Sequence, residues 1–421
     1  MQCERLALTG DPGELAAELR RLVPAPESVR AVVAEIIARV RAEGDTAVRD
    51  YTRQFDRITG AEPAPLRVAE SELDVAAQRL DSRVRAALEH AIANVRRVAD
   101  EALRPERVVD LGGSQVVLRD APVGRAAIYV PGGRAPYPST VVMGVVPARV
   151  AGVERVVVCA PPGRDGDLHP VVLGACRLAN ASEVYRMGGA QAVAALAFGT
   201  ESVEPVDVIA GPGNLYVQEA KRQVFEQVGI DGFAGPSDLV AIADGGCDPE
   251  PLALDLLAQA EHGAGTLVVG ISPSTELLDA VHRRLLTAAD TGAVARLVSV
   301  PDVDRGLSLA SAFAPEHLQL VGPQAEALAP RVTRAGCVFV GAHAGTAFGD
   351  YIAGSNHILP TAGAARFASA LTPAQFRRSF TEVRIGGAAA GRLARVAAPL
   401  ARAEGFELHA RSMEARIRDN G

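Results

Sequence analysis

From residue 126 onward, short apolar runs alternate with segments of helical length, and this alternation restricts the fold more than any other feature. The runs at 126–129, 155–159, 183–186, 206–210 and 238–243 are separated by helix-like segments near 139–150, 167–179, 190–197 and 214–228. Strands joined by crossover helices at this spacing build right-handed βαβ units and a parallel sheet. A second set repeats the pattern: helix 249–262, strand 266–270, helix 275–289, strand 296–300, helix 303–312, then strands 319–321 and 336–340. The expected class is α/β, with two Rossmann-like parallel-sheet units, a helical N-terminal region and a small extended C-terminal tail segment.

The N-terminal hundred residues read as helices. Val29, Val32, Val33, Ile36, Ile37 and Val40 recur at the 3.6-residue period, Gly44-Asp45 opens a second helix, and 82–103 is a third periodic stretch. Alternation over 108–119, broken at Gly112-Gly113, predicts a hairpin. A chain of 421 residues exceeds one core. The expected division is a helical region at 1–110 that could pack with the second α/β unit, a first α/β domain at 111–240, a second with catalytic loops at 241–370, and a tail at 371–421. That tail has little apolar content and must dock on its own chain or a partner.

A formal charge of −7 gives no electrostatic case for nucleic acid or an anionic membrane surface, since both need basic patches. No apolar run reaches membrane-spanning length, and the first residues lack a signal-peptide core. Five cysteines without a CxxC argue for reduced thiols and a cytoplasmic setting.

Chemistry-bearing residues concentrate in three places. Residues 349–361 hold Asp350 and His357 among turn residues with no clear helical or strand period, the composition of a site on a rigid scaffold. Gln259 and His262 stand three apart on a predicted helix and share a face. With Asp350 and one further imidazole they would form an oxygen and nitrogen set suited to zinc or a similar ion, although taken alone the pair reads first as a cap on the helix before Gly263, the common fate of such residues near a C-terminus. Glu316-His317 lies at a loop–strand junction, where two proton-transfer groups can reach one cavity. Glycine-bearing turns at 130–134, 187–191 and 210–214 end predicted strands; the last follows a dinucleotide fingerprint but has Tyr216 in place of the third glycine. Cys159, inside an apolar run, reads as strand packing rather than a nucleophile.

These segments in this order resemble the histidinol dehydrogenase family over nearly the whole chain. The matches include Gly44-Asp45-Thr46-Ala47, Tyr129-Val130-Pro131-Gly132-Gly133, Gly188-Gly189-Ala190-Gln191-Ala192, Gly211-Pro212-Gly213-Asn214 and Ala234-Gly235-Pro236-Ser237. They continue with Gln259-Ala260-Glu261-His262, Pro315-Glu316-His317-Leu318, the 349–361 stretch and 404–409. The resemblance implies a zinc-dependent enzyme that oxidises L-histidinol through L-histidinaldehyde to L-histidine, reducing two NAD, in the final step of histidine biosynthesis. It implies Gln259, His262, Asp350 and His409 as zinc ligands, and Glu316 and His317 as the catalytic pair. Substrate contacts would be Ser237, Gln259, His262, His317, Asp350, His357, Glu404 and His409, and NAD contacts Tyr129, Gln191 and Asn214. It implies a homodimer whose C-terminal segment completes the partner's site. Asp238 departs from the family's usual Glu after Ser237. A zinc hydrolase or lyase, or a metal-stabilised binding module, are the competing classes.

Overall fold

A computed structural model describes residues 1–23, 29–59, 64–132, 135–232 and 236–417. Of the matched motifs and glycine-bearing turns, Gly133, Arg134, Ala234 and Gly235 lie outside the described residues, as does Ser28, where the first periodic helix is expected to start. The strands in chain order are β1 (Cys3–Ala7), β2 (Arg107–Asp110), β3 (Ser114–Pro122), β4 (Arg125–Tyr129), β5 (Arg155–Ala160), β6 (Glu183–Arg186) and β7 (Val208–Ala210). They continue as β8 (Gly229–Ile230), β9 (Asp238–Ala243), β10 (Leu267–Ser272), β11 (Val294–Ser299), β12 (His317–Val321), β13 (Cys337–Val340) and β14 (Arg377–Ile385). The chain divides into two compact units, Met1–Ala102 with Gly124–Phe376, and Leu103–Val123 with Arg377–Gly421.

The larger unit is α/β, as the alternation predicts, and holds two parallel sheets. One runs β6-β5-β4-β7-β8 and the other β1-β11-β10-β9-β12-β13. Leaving aside β1, both start at a central strand, add two neighbours on one side and cross back to the other. The strand order therefore reverses between β4 and β7, and again between β9 and β12. Every residue of β4, β9 and β10 is buried, which is why these strands read as continuous apolar runs rather than alternating ones.

The early helices divide between the sheets. Val33, Ile36, Ile37 and Val40 of the helix Arg30–Glu43 share a core with Ala127, Val157 and Ile209 of the five-stranded sheet. Ala16 and Leu19 of the helix Pro12–Arg20 join Val240, Ile242 and Val298 of the six-stranded one. One departure from the sequence reading lies here. Cys3–Ala7 is a strand, paired in parallel with β11, where helices were expected. Five residues are too few to show a period, and the partner that fixes them lies almost three hundred positions away. Cys159 is fully buried in β5, so its thiol is held in its neutral form by desolvation.

The smaller unit contains the predicted hairpin, β2 and β3, extended by β14 into an antiparallel sheet in the order β14-β3-β2. β14 lies within the tail expected at 371–421 and is its extended part. Its nine residues pair along the length of β3. The helices Gly387–Ala403 and Glu407–Glu414 follow it and pack through Ala398, Ala401, Ala410 and Met413.

Candidate active site

A cleft of about 510 Å³ opens where the two parallel sheets of the larger unit face each other end to end. Pro131 and Gly132 reach it from the carboxyl end of β4, Gly211 to Asn214 from β7, and Asp231 from β8. Ser237, Thr266 and Glu316 enter from the amino ends of β9, β10 and β12. The first set stands at the reversal of strand order, the position at which open parallel sheets bind ligands. Three of the glycine-bearing or proton-transfer motifs thus meet in one place.

Glu316 and His317 form the floor. Both are buried, Glu316 in the turn before β12 and His317 as the first residue of that strand. Glu316 Oε2 accepts the Ser237 hydroxyl at 2.5 Å and the Asp238 amide at 3.1 Å. In return its own amide donates to Asp238 Oδ1 at 2.7 Å, so β9 and β12 hold the carboxylate in one orientation. Burial, with the Asp238 charge adding to it, pushes the Glu316 carboxyl well above the usual range. His317 Nδ1 lies 3.3 Å from the Asp238 carbonyl, which assigns the proton to Nδ1 and leaves Nε2 as the acceptor, 3.9 Å from Asp350 Oδ1. Burial lowers the His317 pKa, so the ring is a neutral base near pH 7.

Gln259 is the last residue but one of the helix Pro249–Ala260, and its Nε2 donates to Ser237 Oγ. Its carbonyl oxygen is the atom a metal would use. His262 follows in the turn, with Nδ1 3.0 Å from the Gln259 backbone carbonyl. A backbone carbonyl on one ring nitrogen is the usual way to present the other to a metal. Asp350 sits one residue from the end of the helix Thr346–Tyr351, a short helix inside the stretch whose period the sequence did not show.

The segment after that helix is pinned from two sides. Asn94 Nδ2 donates to the Ile352 carbonyl at 2.8 Å, and Asn356 Nδ2 to the Met143 carbonyl at 2.7 Å. Gly354 has φ +92°, and a Cβ there would stand 3.1 Å from the Asn94 carbonyl, so only glycine fits without strain. His357 emerges with Nδ1 3.0 Å from the Asp350 carbonyl and Nε2 3.2 Å from Thr140 Oγ1. Its pKa is lowered by burial. Asn94 and Thr140 carry no motif and were invisible in the sequence. The same holds for Arg20, which pairs with the buried Asp238 carboxylate and donates to the Phe313 carbonyl at 2.7 Å.

Among the cofactor candidates, Asn214 lines the cleft and caps the helix Leu215–Val224 by accepting the Tyr216 and Val217 amides. Tyr129 and Gln191 are buried, the Tyr129 hydroxyl accepting the Gly189 amide at 3.1 Å. The Gln191 Oε1 is a buried acceptor with no hydrogen-bond partner among the described residues. Gly211 has φ +121°, and a Cβ there would meet the Tyr129 carbonyl at 2.1 Å. A backbone cradle of this kind, bare of side chains at a strand end, suits a dinucleotide.

Among the described residues no group of three or more His, Cys, Asp and Glu side chains is placed to hold a metal. Of the ligands the resemblance implies, the larger unit holds His262, Asp350 and the amide of Gln259. Glu404, the C-cap of the helix Gly387–Ala403, and His409, whose ring lies 5.1 Å from that of Phe406, belong to the smaller unit. The larger unit's donors are of the mixed nitrogen and oxygen kind that zinc accepts.

The histidinol dehydrogenase family model matches residues 20–417. Histidinol dehydrogenase of Parasynechococcus marenigrum is 44% identical over 427 residues, covering 97% of this chain and 96% of that protein. The Cereibacter sphaeroides histidinol dehydrogenase is 44% identical over 404 residues, 92% of each chain. The crystal structure of histidinol dehydrogenase from Elizabethkingia anophelis superposes with a TM-score of 0.89 at 29% identity, over 99% of this chain and 98% of that one. With match and fold both spanning nearly the full length, this chain belongs to the histidinol dehydrogenase family, whose members are NAD-dependent oxidoreductases.

Proposed function

We propose that the chain oxidises L-histidinol in two NAD-dependent steps, through L-histidinaldehyde to L-histidine, as a zinc enzyme and the final step of histidine biosynthesis. The observation that carries this reading is the buried Glu316-His317 pair, held rigidly by Asp238 and Ser237 at the floor of a cleft that the glycine turns of the first sheet also line. Within the family, two proton-transfer groups of different character in one cleft suit an oxidation that needs a base in each step.

Gln259, His262 and Asp350 would hold the zinc, joined by His409 of the partner subunit, and the ion would fix the substrate's imidazole and amine. NAD, near Asn214 with Tyr129 and Gln191 behind it, would accept the hydride. The remaining chemistry belongs to side chains of this chain. His317 Nε2 takes the hydroxyl proton of the alcohol, with the opposite nitrogen anchored on the Asp238 carbonyl. The aldehyde is then hydrated: Glu316 removes a proton from water, and His317 deprotonates the resulting diol before the second oxidation. Ser237, His357 and Glu404 complete the contacts to substrate.

The enzyme is proposed to work as a homodimer in the cytoplasm. The smaller unit leaves Val396, Leu400 and Leu408 exposed, apolar surface that a second copy would cover. The cysteines Cys3, Cys159, Cys176, Cys247 and Cys337 are all free thiols. No helix among the described residues is long and apolar enough to cross a membrane. The test is absorbance at the NADH wavelength on adding histidinol and NAD. Two NADH per histidinol are expected, abolished by chelation and restored by zinc. Turnover without NAD, or NADH formation that ignores chelation, would overturn the reading.

A further inference from the structure

Of 43 Lys and Arg residues in this chain, a single one is lysine. Lys221 is fully buried, although a lone ammonium is costly to desolvate. Its Nζ donates to the Gly211 carbonyl at 3.1 Å and pairs with Asp231 Oδ1. The other oxygen, Asp231 Oδ2, accepts the Gly211 amide at 2.7 Å. Both polar groups of Gly211 are therefore tied to one ion pair. Arginine, used at every other basic position, would not serve here. Its planar fork of five donors would leave several N–H groups unsatisfied at a site with no access to water.

The pair stands where a cofactor contact belongs. Asp231 follows β8, twenty residues after Gly211, and both line the cleft. An acidic residue at that spacing, at the end of the strand after the glycine turn and its helix, is the element that receives a ribose hydroxyl in dinucleotide folds. The missing third glycine obscured this signature in the sequence. Lys221 and the Gly211 amide take one acceptor site on each carboxylate oxygen, and a carboxylate offers about four. Acceptor capacity thus remains on a carboxylate that lines the cleft.

We propose that Asp231 is a cofactor-binding residue that accepts a ribose hydroxyl of the dinucleotide, and that Lys221 is the positioning residue that aims it and fixes the Gly211 turn. The inference rests on the NAD-dependent reading given above. Lys221 touches neither cofactor nor substrate.

One lysine per chain makes the experiment direct. In protein carrying lysine labelled with 13C at Cε, Lys221 gives one side-chain signal. Adding NAD to the zinc-loaded enzyme should shift that signal, while histidinol alone should leave it in place. Calorimetry on Asp231→Asn and Lys221→Met should show NAD affinity reduced on the order of tenfold or more, with histidinol affinity unchanged. Lys221→Ala should regain NAD affinity when methylammonium is supplied to fill the vacated site, a recovery that general loosening of the fold would not give. Equal losses for both ligands, unaltered NAD affinity in the variants, or a lysine signal indifferent to NAD would each overturn the proposal. If the unmodified enzyme fails to bind NAD, the underlying functional reading falls instead.

Discussion

Asp238 shows how a single residue can organise an entire site. Its carboxylate is almost inaccessible, yet it receives the Glu316 amide and the Arg20 guanidinium, while its backbone holds Glu316 Oε2 and His317 Nδ1. Removing Arg20 strands that charge. Arg20→Ala should lower stability by about 3 kcal/mol, read as a shift in denaturant midpoint, because breaking a buried pair leaves an uncompensated ion. Glu316 gives two further expectations. Burial pushes its carboxyl up to about 8, so the ionised form that activates water grows in as pH rises through that value. Single-turnover oxidation of the aldehyde should climb over the same range, and Glu316→Gln should abolish the climb while slowing alcohol oxidation far less; equal losses in both half-reactions would remove Glu316 from its assigned step. The stability effect runs the opposite way. Because folding favours the protonated acid, its contribution is complete below pH 4.5 and disappears as pH passes through about 8. In metal-free protein, Glu316→Gln should therefore gain melting temperature relative to the parent as the buffer becomes more alkaline.

At the scale of elements, the segment 350–361 is tied down by bonds to other elements. Asn356 spends its amide on the Met143 carbonyl and its oxygen on the Ile358 amide. Asn356→Ala should release the backbone that carries His357, raising KM for histidinol several-fold with a smaller change in kcat, as steady-state kinetics would show. This is also where legibility in the sequence ran out. The strands β4, β5 and β9 were readable because they are buried on both faces and leave nearly uninterrupted apolar runs. The Glu316-His317 junction was readable because adjacent polar residues interrupt such a pattern. Cys3–Ala7 and Arg377–Ile385 were not, since each becomes a strand only through a remote partner, β11 or β3. Asn94, Thr140 and Arg20 were hidden for a related reason: they act through single hydrogen bonds or ion pairs across long sequence separations. No local spacing records those.

For the molecule as a whole, two sheets of the same strand order meet carboxyl edge to amino edge, and the cleft takes its glycine turns from one and its proton-transfer groups from the other. Glu404 and His409 lie in the smaller unit, and their proposed exchange between subunits can be read genetically. Asp350→Ala and His409→Ala chains, each inactive alone, should regain part of the activity when co-expressed, because one site of the mixed dimer is then intact. Absence of recovery would assign the tail to its own chain. The buried lysine has an outcome of a different kind. Acetylation, glycation and isopeptide tagging all need an ε-amine that reagents or enzymes can approach, and the folded exterior offers none. Regulation or damage aimed at lysine must therefore wait for the chain to open, which makes side-chain amine reactivity a direct count of unfolded molecules.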